Sequence, residues 1–181
     1  RLTSENQKIK LFKKHQVDFI INIKFNKNFS RINAKYFIKK IIYGKINPQL
    51  LSVSNNFKFG RKRRGDVNLL KKFGNRYGYR LLNIHPFKHS GAMVSSTRIR
   101  KCLQNGKINL ANKLLSRTWS IDGYVKKGKK IGRKLGYRTC NIKIKNYILP
   151  KKGIYAVKIS IGNKKKIYGG VAYLGDRPTF N

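Results

Sequence analysis

The apolar pattern changes character once along this chain, near residue 116, and that change limits the folds open to it. Before it, strand-like and helix-like segments alternate. Residues 5–15 carry the spacing of a basic helix, and Val17 to Phe25 (VDFIINIKF) is an apolar, β-rich run that predicts a buried strand. Ser30 is placed to cap a helix bearing Ile32, Phe37, Ile38 and Ile41. Leu50 to Val53 reads as a second strand and Tyr79 to Ile84 as a third. Between them Asp66 is placed to cap a helix that runs to Tyr77 and stops at Gly78. Ser95 to Gln104 follows as a helix ended near Gly106, then a short helix over Asn109 to Ser116. Alternating strands and helices predict an α/β unit with a parallel sheet. After residue 116 no helix signal remains. Trp119 to Val125, Asn141 to Ile144, Gly153 to Ile161 and Lys166 to Leu174 are strand-like, with Gly and Lys turns between them. That predicts a small antiparallel β-barrel or sandwich, with the domain boundary at 115–118. At 181 residues the chain holds one good-sized core or two small domains.

Charge is the second constraint. Lys and Arg number 44 against five acids (Glu5, Asp18, Asp66, Asp122 and Asp176), a net charge of +39. Such an excess suggests nucleic acid. Yet the lysines are spread from Lys8 to Lys166 rather than gathered in one tail or stripe. Lys, Asn and Ile are abundant together and share AT-rich codons. Compositional drift is therefore the first reading, ahead of a nucleic-acid partner and of an anionic membrane surface. Five acids make a multi-carboxylate metal site hard to assemble, so any Mg²⁺ would lean on phosphates and neutral oxygens. Cys102 and Cys140 lie far apart and form no CxxC, which fits a reducing, cytoplasmic setting. No apolar run approaches the ~20 residues of a membrane helix. Pro86 separates His85 from His89, and His15 stands alone, so no histidine metal cluster is expected. No Walker or G-x-G-x-x-G sequence is present.

Three segments carry chemistry. Ser95-Ser96-Thr97-Arg98-Ile99-Arg100 sets three hydroxyls and two arginines where a helix begins. The first turn of a helix has unpaired N–H groups and partial positive charge, so these groups either cap the helix or hold phosphate. Gly128 to Asn141 is a basic loop with Gly132, Gly136 and Arg133, ending in Thr139-Cys140-Asn141. Its glycines allow backbone to approach a ligand, and Thr139 and Asn141 share a face if the segment is a strand. The alternative is a basic hairpin turn. Asn55-Asn56-Phe57-Lys58-Phe59-Gly60-Arg61 places aromatics beside amides after a strand. It either stacks on a flat heterocycle or plugs the core with a phenylalanine.

Taken in order, these segments resemble the bacterial bifunctional riboflavin kinase/FAD synthetase family along nearly the whole chain. Asn56-Phe57-Lys58-Phe59-Gly60 with Arg64-Gly65-Asp66 is similar to the family's flavin-side loop. Val94 to Arg100 is similar to its S-S-T-x-I-R motif, and Gly132 to Asn141 to its kinase motif, usually ending G-[FY]-P-T-A-N. Pro150 to Val157 and Gly170 to Phe180 resemble later barrel strands. The resemblance implies a nucleotidyltransferase-type, Rossmann-like domain over 1–116 and a riboflavin kinase-like β-barrel over 117–181. It implies phosphorylation of riboflavin by ATP to FMN, then adenylylation of FMN to FAD. Asn56 and Phe57 would lie at the flavin. Ser95, Ser96, Thr97 and Arg100 would hold ATP in the adenylyltransferase, with Arg100 as a catalytic group. Gly128, Arg133, Gly136, Thr139 and Asn141 would bind ATP in the kinase, with Thr139 and Asn141 on its Mg²⁺. Riboflavin, FMN and ATP are the implied partners, with no membrane.

Departures accompany the likeness. Arg138 replaces the usual Pro, Cys140 the usual Ala, and Ser54 a common Gly. The family's H-x-G-H motif and the kinase's general-base Glu lie outside this chain, so both ends are expected to be cut and the 181 residues alone to be poorly active. An eroded flavin- or nucleotide-binding remnant without turnover, and a basic nucleic-acid-binding protein, are the alternatives.

Overall fold

The structure, a computed structural model, describes residues 1–126, 136, 139–144, 146–162 and 166–175. The chain divides into two compact units, one over Phe19–Met93 and the other over Arg1–Asp18 with Val94–Asn181.

In the first unit, short helix α2 (Lys27–Ser30) is capped by Asn26, and α3 (Ala34–Tyr36) by Asn33, whose side-chain oxygen accepts from the Tyr36 N–H at 2.7 Å. The cap expected at Ser30 is not formed. Its hydroxyl instead donates back to the Lys27 carbonyl at 2.7 Å, a local bond that removes it from capping duty. A π-helical stretch, Phe37–Ile46, continues α3 and sends Ile38 and Ile42, one turn apart, into the core. Strand β1 (Leu50–Ser54) pairs parallel with β2 (Arg80–Ile84), in register from Leu50 opposite Arg80 to Ser54 opposite Ile84. A parallel pair requires a crossover. Helix α4 (Val67–Tyr77) lies in it, begun by Asp66 and ended by Gly78 in the left-handed conformation. Ala34, Ile38, Ile42, Phe59, Leu70 and Tyr79 make the core, and the Tyr79 hydroxyl donates to the Leu70 carbonyl at 2.8 Å. Strands β3 (Lys88–His89) and β4 (Ala92–Met93) form a hairpin on a two-residue turn, Ser90-Gly91.

The expected buried strand at Val17–Phe25 is not realised. No ladder pairs with it among the described residues, and Phe19 and Phe25 stand 89% and 76% exposed. An apolar run becomes a buried strand only when neighbours satisfy its backbone and cover its faces, and sequence composition supplies neither.

In the second unit, α1 (Glu5–Lys14) starts with a capping box of Ser4 and Gln7. Helices α5 (Ser96–Gln104) and α6 (Ile108–Leu115) bury Ile99, Cys102 and Leu103 against Ala111 and Leu114, with Leu2, Trp119 and Ile148 packed around them. The buried Gln7 amide donates to Ser120 O at 3.2 Å and to Asp122 Oδ1 at 3.1 Å, and its oxygen accepts from the Tyr147 hydroxyl at 2.8 Å. Trp119 Nε1 donates to Leu2 O at 2.9 Å. Residues on either side of 115–118 therefore lie in one compact unit. These bonds also reshape the strand expected over Trp119 to Val125, because Trp119 turns into the helical core and β5 covers only Tyr124–Lys126. Strand β5 pairs antiparallel with β6 (Asn141–Lys143), and β7 (Gly153–Ser160) with β8 (Ile167–Leu174) over eight residue pairs. Among the described residues the strands thus make four two-stranded sheets, one parallel and three antiparallel.

The start of α4 carries a pH dependence. The Leu69 backbone N–H, bonded to Asp66 Oδ1 at 2.9 Å, holds the carboxyl below its ordinary pKa, helped by Lys58 and opposed by partial desolvation. A carboxylate with a depressed folded pKa contributes stability above its unfolded value, about 4, and loses it as pH falls through the folded value. Asparagine caps as well as aspartate but carries no proton. Asp66→Asn is expected to lose less Tm than wild type between pH 5 and pH 3 in circular-dichroism melts. Equal losses would contradict the assignment.

Candidate functional site

The chain leaves β4 through Val94, which packs on the α5–α6 core, and enters α5 at Ser95 in extended conformation. Ser95 Oγ accepts from the Arg98 backbone N–H at 3.2 Å, so this serine acts as the N-cap. Ser96 and Thr97 are exposed on the first turn. Ile99 is buried and anchors the turn, while Arg98 and Arg100 beside it are half-buried. Chain packing thus positions both arginine stems at the positive end of a helix. The arrangement suits an anion with several oxygens, which a guanidinium fork binds in two places.

A second set of groups stands at the carboxyl ends of β1 and β2. Asn55 N–H donates to the Ile84 carbonyl at 3.2 Å, carrying the pairing one residue past the strands. Phe57 N–H turns back to the Ser54 carbonyl at 2.9 Å, and Ser54 Oγ donates to Asn56 Oδ1 at 3.0 Å. Phe59 is the core plug. It is buried, lies 5.5 Å from the Phe37 ring, and exchanges two backbone bonds with Gly65. Phe57 stacks on Phe59 at 5.6 Å and stays half-exposed, with Asn56 exposed beside it. Phe59 therefore takes the core-plugging place, while Phe57 keeps an exposed edge. Residues 61–64 turn sharply past this loop, with Lys62 and Arg63 at positive φ and all four basic side chains exposed.

Sequence reasoning missed one member of this edge. The Asn55 amide lies 2.8 Å from His85 Nδ1. In the sequence His85 forms no metal-binding pattern that would single it out. Strand register alone brings it to Asn55, since Ser54 lies opposite Ile84. The usable signal was its position directly after a strand and before a proline.

The third segment is described in part. Gly136 has a positive φ of 81°, Thr139 and Cys140 are exposed, and Asn141 opens β6 opposite Lys126. A hydroxyl and an amide oxygen two positions apart are hard, neutral donors. That set fits Mg²⁺, which keeps several waters and takes its charge partners from nucleotide phosphates. Gly128, Arg133 and Arg138 lie outside the described residues, as does the Arg177-Pro178-Thr179-Phe180 segment.

Asn56 and Phe57 belong to the Phe19–Met93 unit, whereas Ser95 to Arg100, Thr139 and Asn141 belong to the other. Among the described residues no three His, Cys, Asp or Glu side chains gather closely enough to hold a metal ion. No described helix is long and apolar enough to cross a membrane.

Comparison with known proteins agrees along the chain. Residues 1–98 match the FAD synthetase family and residues 115–181 the riboflavin kinase family. A protein of Buchnera aphidicola from Schizaphis graminum, named bifunctional riboflavin kinase/FMN adenylyltransferase, is 43% identical over 99% of this chain and 58% of its own length. The Escherichia coli K12 protein of the same name is 34% identical over 99% of this chain and 57% of its own length. The chain therefore spans a little over half the length of these curated relatives. A crystal structure described as a macrolide-efflux protein from Streptococcus pneumoniae superposes with a TM-score of 0.85. It is 24% identical, covering 99% of this chain and 57% of that one, and the likeness speaks to the fold alone. The chain belongs to the FAD synthetase family through residues 1–98, joined within the same polypeptide to a riboflavin kinase family segment.

Proposed function

We propose that this protein forms flavin cofactors in two steps, phosphorylating riboflavin to FMN and adenylylating FMN to FAD in the cytoplasm. The observation that carries this reading is the pair of family matches in one chain, in the order adenylyltransferase then kinase. In the first step the riboflavin hydroxyl oxygen attacks the γ-phosphorus of ATP and ADP leaves. In the second, an FMN phosphate oxygen attacks the α-phosphorus of another ATP and pyrophosphate leaves. Both steps depend on positioning and charge neutralisation more than on covalent chemistry by the protein.

The residue roles rest on the resemblance of these segments to the family motifs, and the geometry described above is compatible with them. Ser96, Thr97 and Arg100 hold ATP phosphates at the start of α5, with Ser95 keeping the helix end in place. Asn56 and Phe57 meet the flavin at the carboxyl edge of β1 and β2, where open α/β sheets bind their ligands. Thr139 and Asn141 would hold Mg²⁺ with ATP in the kinase, with Gly128, Arg133 and Gly136 in the same loop. The metal, when bound, neutralises phosphate charge. On this reading β1, α4 and β2 are part of a Rossmann-like nucleotidyltransferase sheet over 1–116. Strands β5 to β8 are part of a riboflavin kinase-like barrel over 117–181.

The test is to incubate the complete gene product with riboflavin, ATP and Mg²⁺ and resolve the flavins by chromatography. FMN followed by FAD is expected. Flavin binding without either product would instead favour an eroded remnant, a reading suggested by Arg138 in place of the kinase motif's usual Pro. Salt-sensitive capture of polyanions with no flavin preference would favour nucleic-acid binding.

A further inference from the structure

We infer that Asn55 and His85 form a recognition pair for the flavin ring, with His85 as a positioning residue that donates from Nε2 to an acceptor atom of that ring. The inference rests on the flavin-adenylylating reading above and extends it to His85 and Asn55, to which the resemblance gives no role. An amide –NH₂ can only donate. The 2.8 Å contact from Asn55 Nδ2 therefore requires His85 Nδ1 to accept, which places the ring hydrogen of a neutral imidazole on Nε2. Both side chains are exposed, so the Nε2–H is open to a ligand.

The surroundings hold the pair in place and suggest what it meets. The Asn55 backbone is tied to Ile84 at 3.2 Å, and Pro86 confines His85 to extended backbone. Phe57, two residues past Asn55, and Phe87, two residues past His85 and 73% exposed, put an aromatic residue in each of the two segments that leave these strands. Aromatic residues in the same two segments as a donor suit a flat heterocycle with ring acceptors, which an isoalloxazine provides. A simple phosphate would use the donor but gain nothing from the phenylalanines.

Steady-state kinetics of FAD formation by the complete gene product test this, read as KM for FMN against kcat. His85→Phe removes the donor, and KM for FMN is expected to rise about 3- to 10-fold with kcat within about twofold, the size of one net hydrogen bond. His85→Gln, whose amide nitrogen reaches the place of Nε2, is expected to restore KM to within about twofold of wild type. Asn55→Leu removes the donor that fixes the tautomer and should raise KM in the same direction as His85→Phe, by less. Melting temperatures report whether each variant is folded. An unchanged KM in His85→Phe, or equal losses in His85→Phe and His85→Gln, would overturn the pair while leaving the functional reading intact. Absence of FAD formation in the wild type would overturn the functional reading itself.

Discussion

Arg100→Ala in the complete gene product is expected to slow FAD formation about 10²- to 10³-fold, the usual cost of losing one preorganised group at a transferring phosphoryl centre. The expectation follows from how the side chain is held. Arg100 is half-buried on α5, directly after the buried Ile99, and Ser95 keeps the helix end closed through its bond to the Arg98 N–H. Neither anchor depends on the guanidinium, so the variant keeps its fold and loses the fork. Arg100→Lys retains the charge but cannot bind two oxygens in a plane, and should recover only part of the rate. The fall should appear in kcat/KM for ATP in FAD formation, with FMN formation from riboflavin near wild type. A loss under about threefold, or the same loss in both reactions, would remove Arg100 from the adenylyltransferase site.

Gly60→Ala is expected to be the most damaging small substitution in the flavin-side loop. Gly60 has φ 72° and ψ 174°, a region that only glycine occupies readily, so any side chain costs about 1–3 kcal/mol in backbone strain. A Cβ there would also sit 2.7 Å from both the backbone N and Cα of Ala34. Ala34 is the first residue of α3 and is buried in the core, and the Arg61 N–H donates to the Ile32 carbonyl alongside at 2.7 Å. Relief therefore needs backbone movement, which typically costs another 1–3 kcal/mol or so. Against a total stability of roughly 5–15 kcal/mol, Tm should fall by about 10 °C or more. Gly78→Ala is the control. Gly78 has φ 80° but open space around its Cβ position, so only the backbone term applies and the fall should be smaller. A Gly60→Ala shift under about 3 °C, or one no larger than for Gly78→Ala, would show that the loop yields more easily than its contacts indicate.

Helix α4 was legible residue by residue. Asp66 and Gly78 mark its two ends because each satisfies backbone groups that a helix leaves unpaired, and that chemistry is local. Strands β7 and β8 were legible within a residue, since side chains along β7 alternate between half-buried and exposed and β8 follows the same rule over its second half. The hydroxyl and arginine cluster before Ile99 could be read as a helix start for the same reason. The Ser30 cap could not, because three nearby Asn and Ser residues compete for helix starts and their hydrogen bonds decide between them.

By itself the sequence determined most of the local elements, Val17–Phe25 and the Ser30 cap excepted, the change of pattern near residue 116, and the two families its segments match. Only the tertiary structure decided which residues meet. Strand register, a pairing between segments 30 residues apart, set Asn55 against His85. Gln7 found Ser120, Asp122 and Tyr147, up to 140 residues away, and so drew the N-terminal helix into one unit with residues beyond 116. The same dependence left Val17–Phe25 an exposed run outside any ladder among the described residues. Capping, turns and periodicity act within a few residues, whereas a strand's partner and a buried amide's acceptors come from distant chain and are not written in either segment alone.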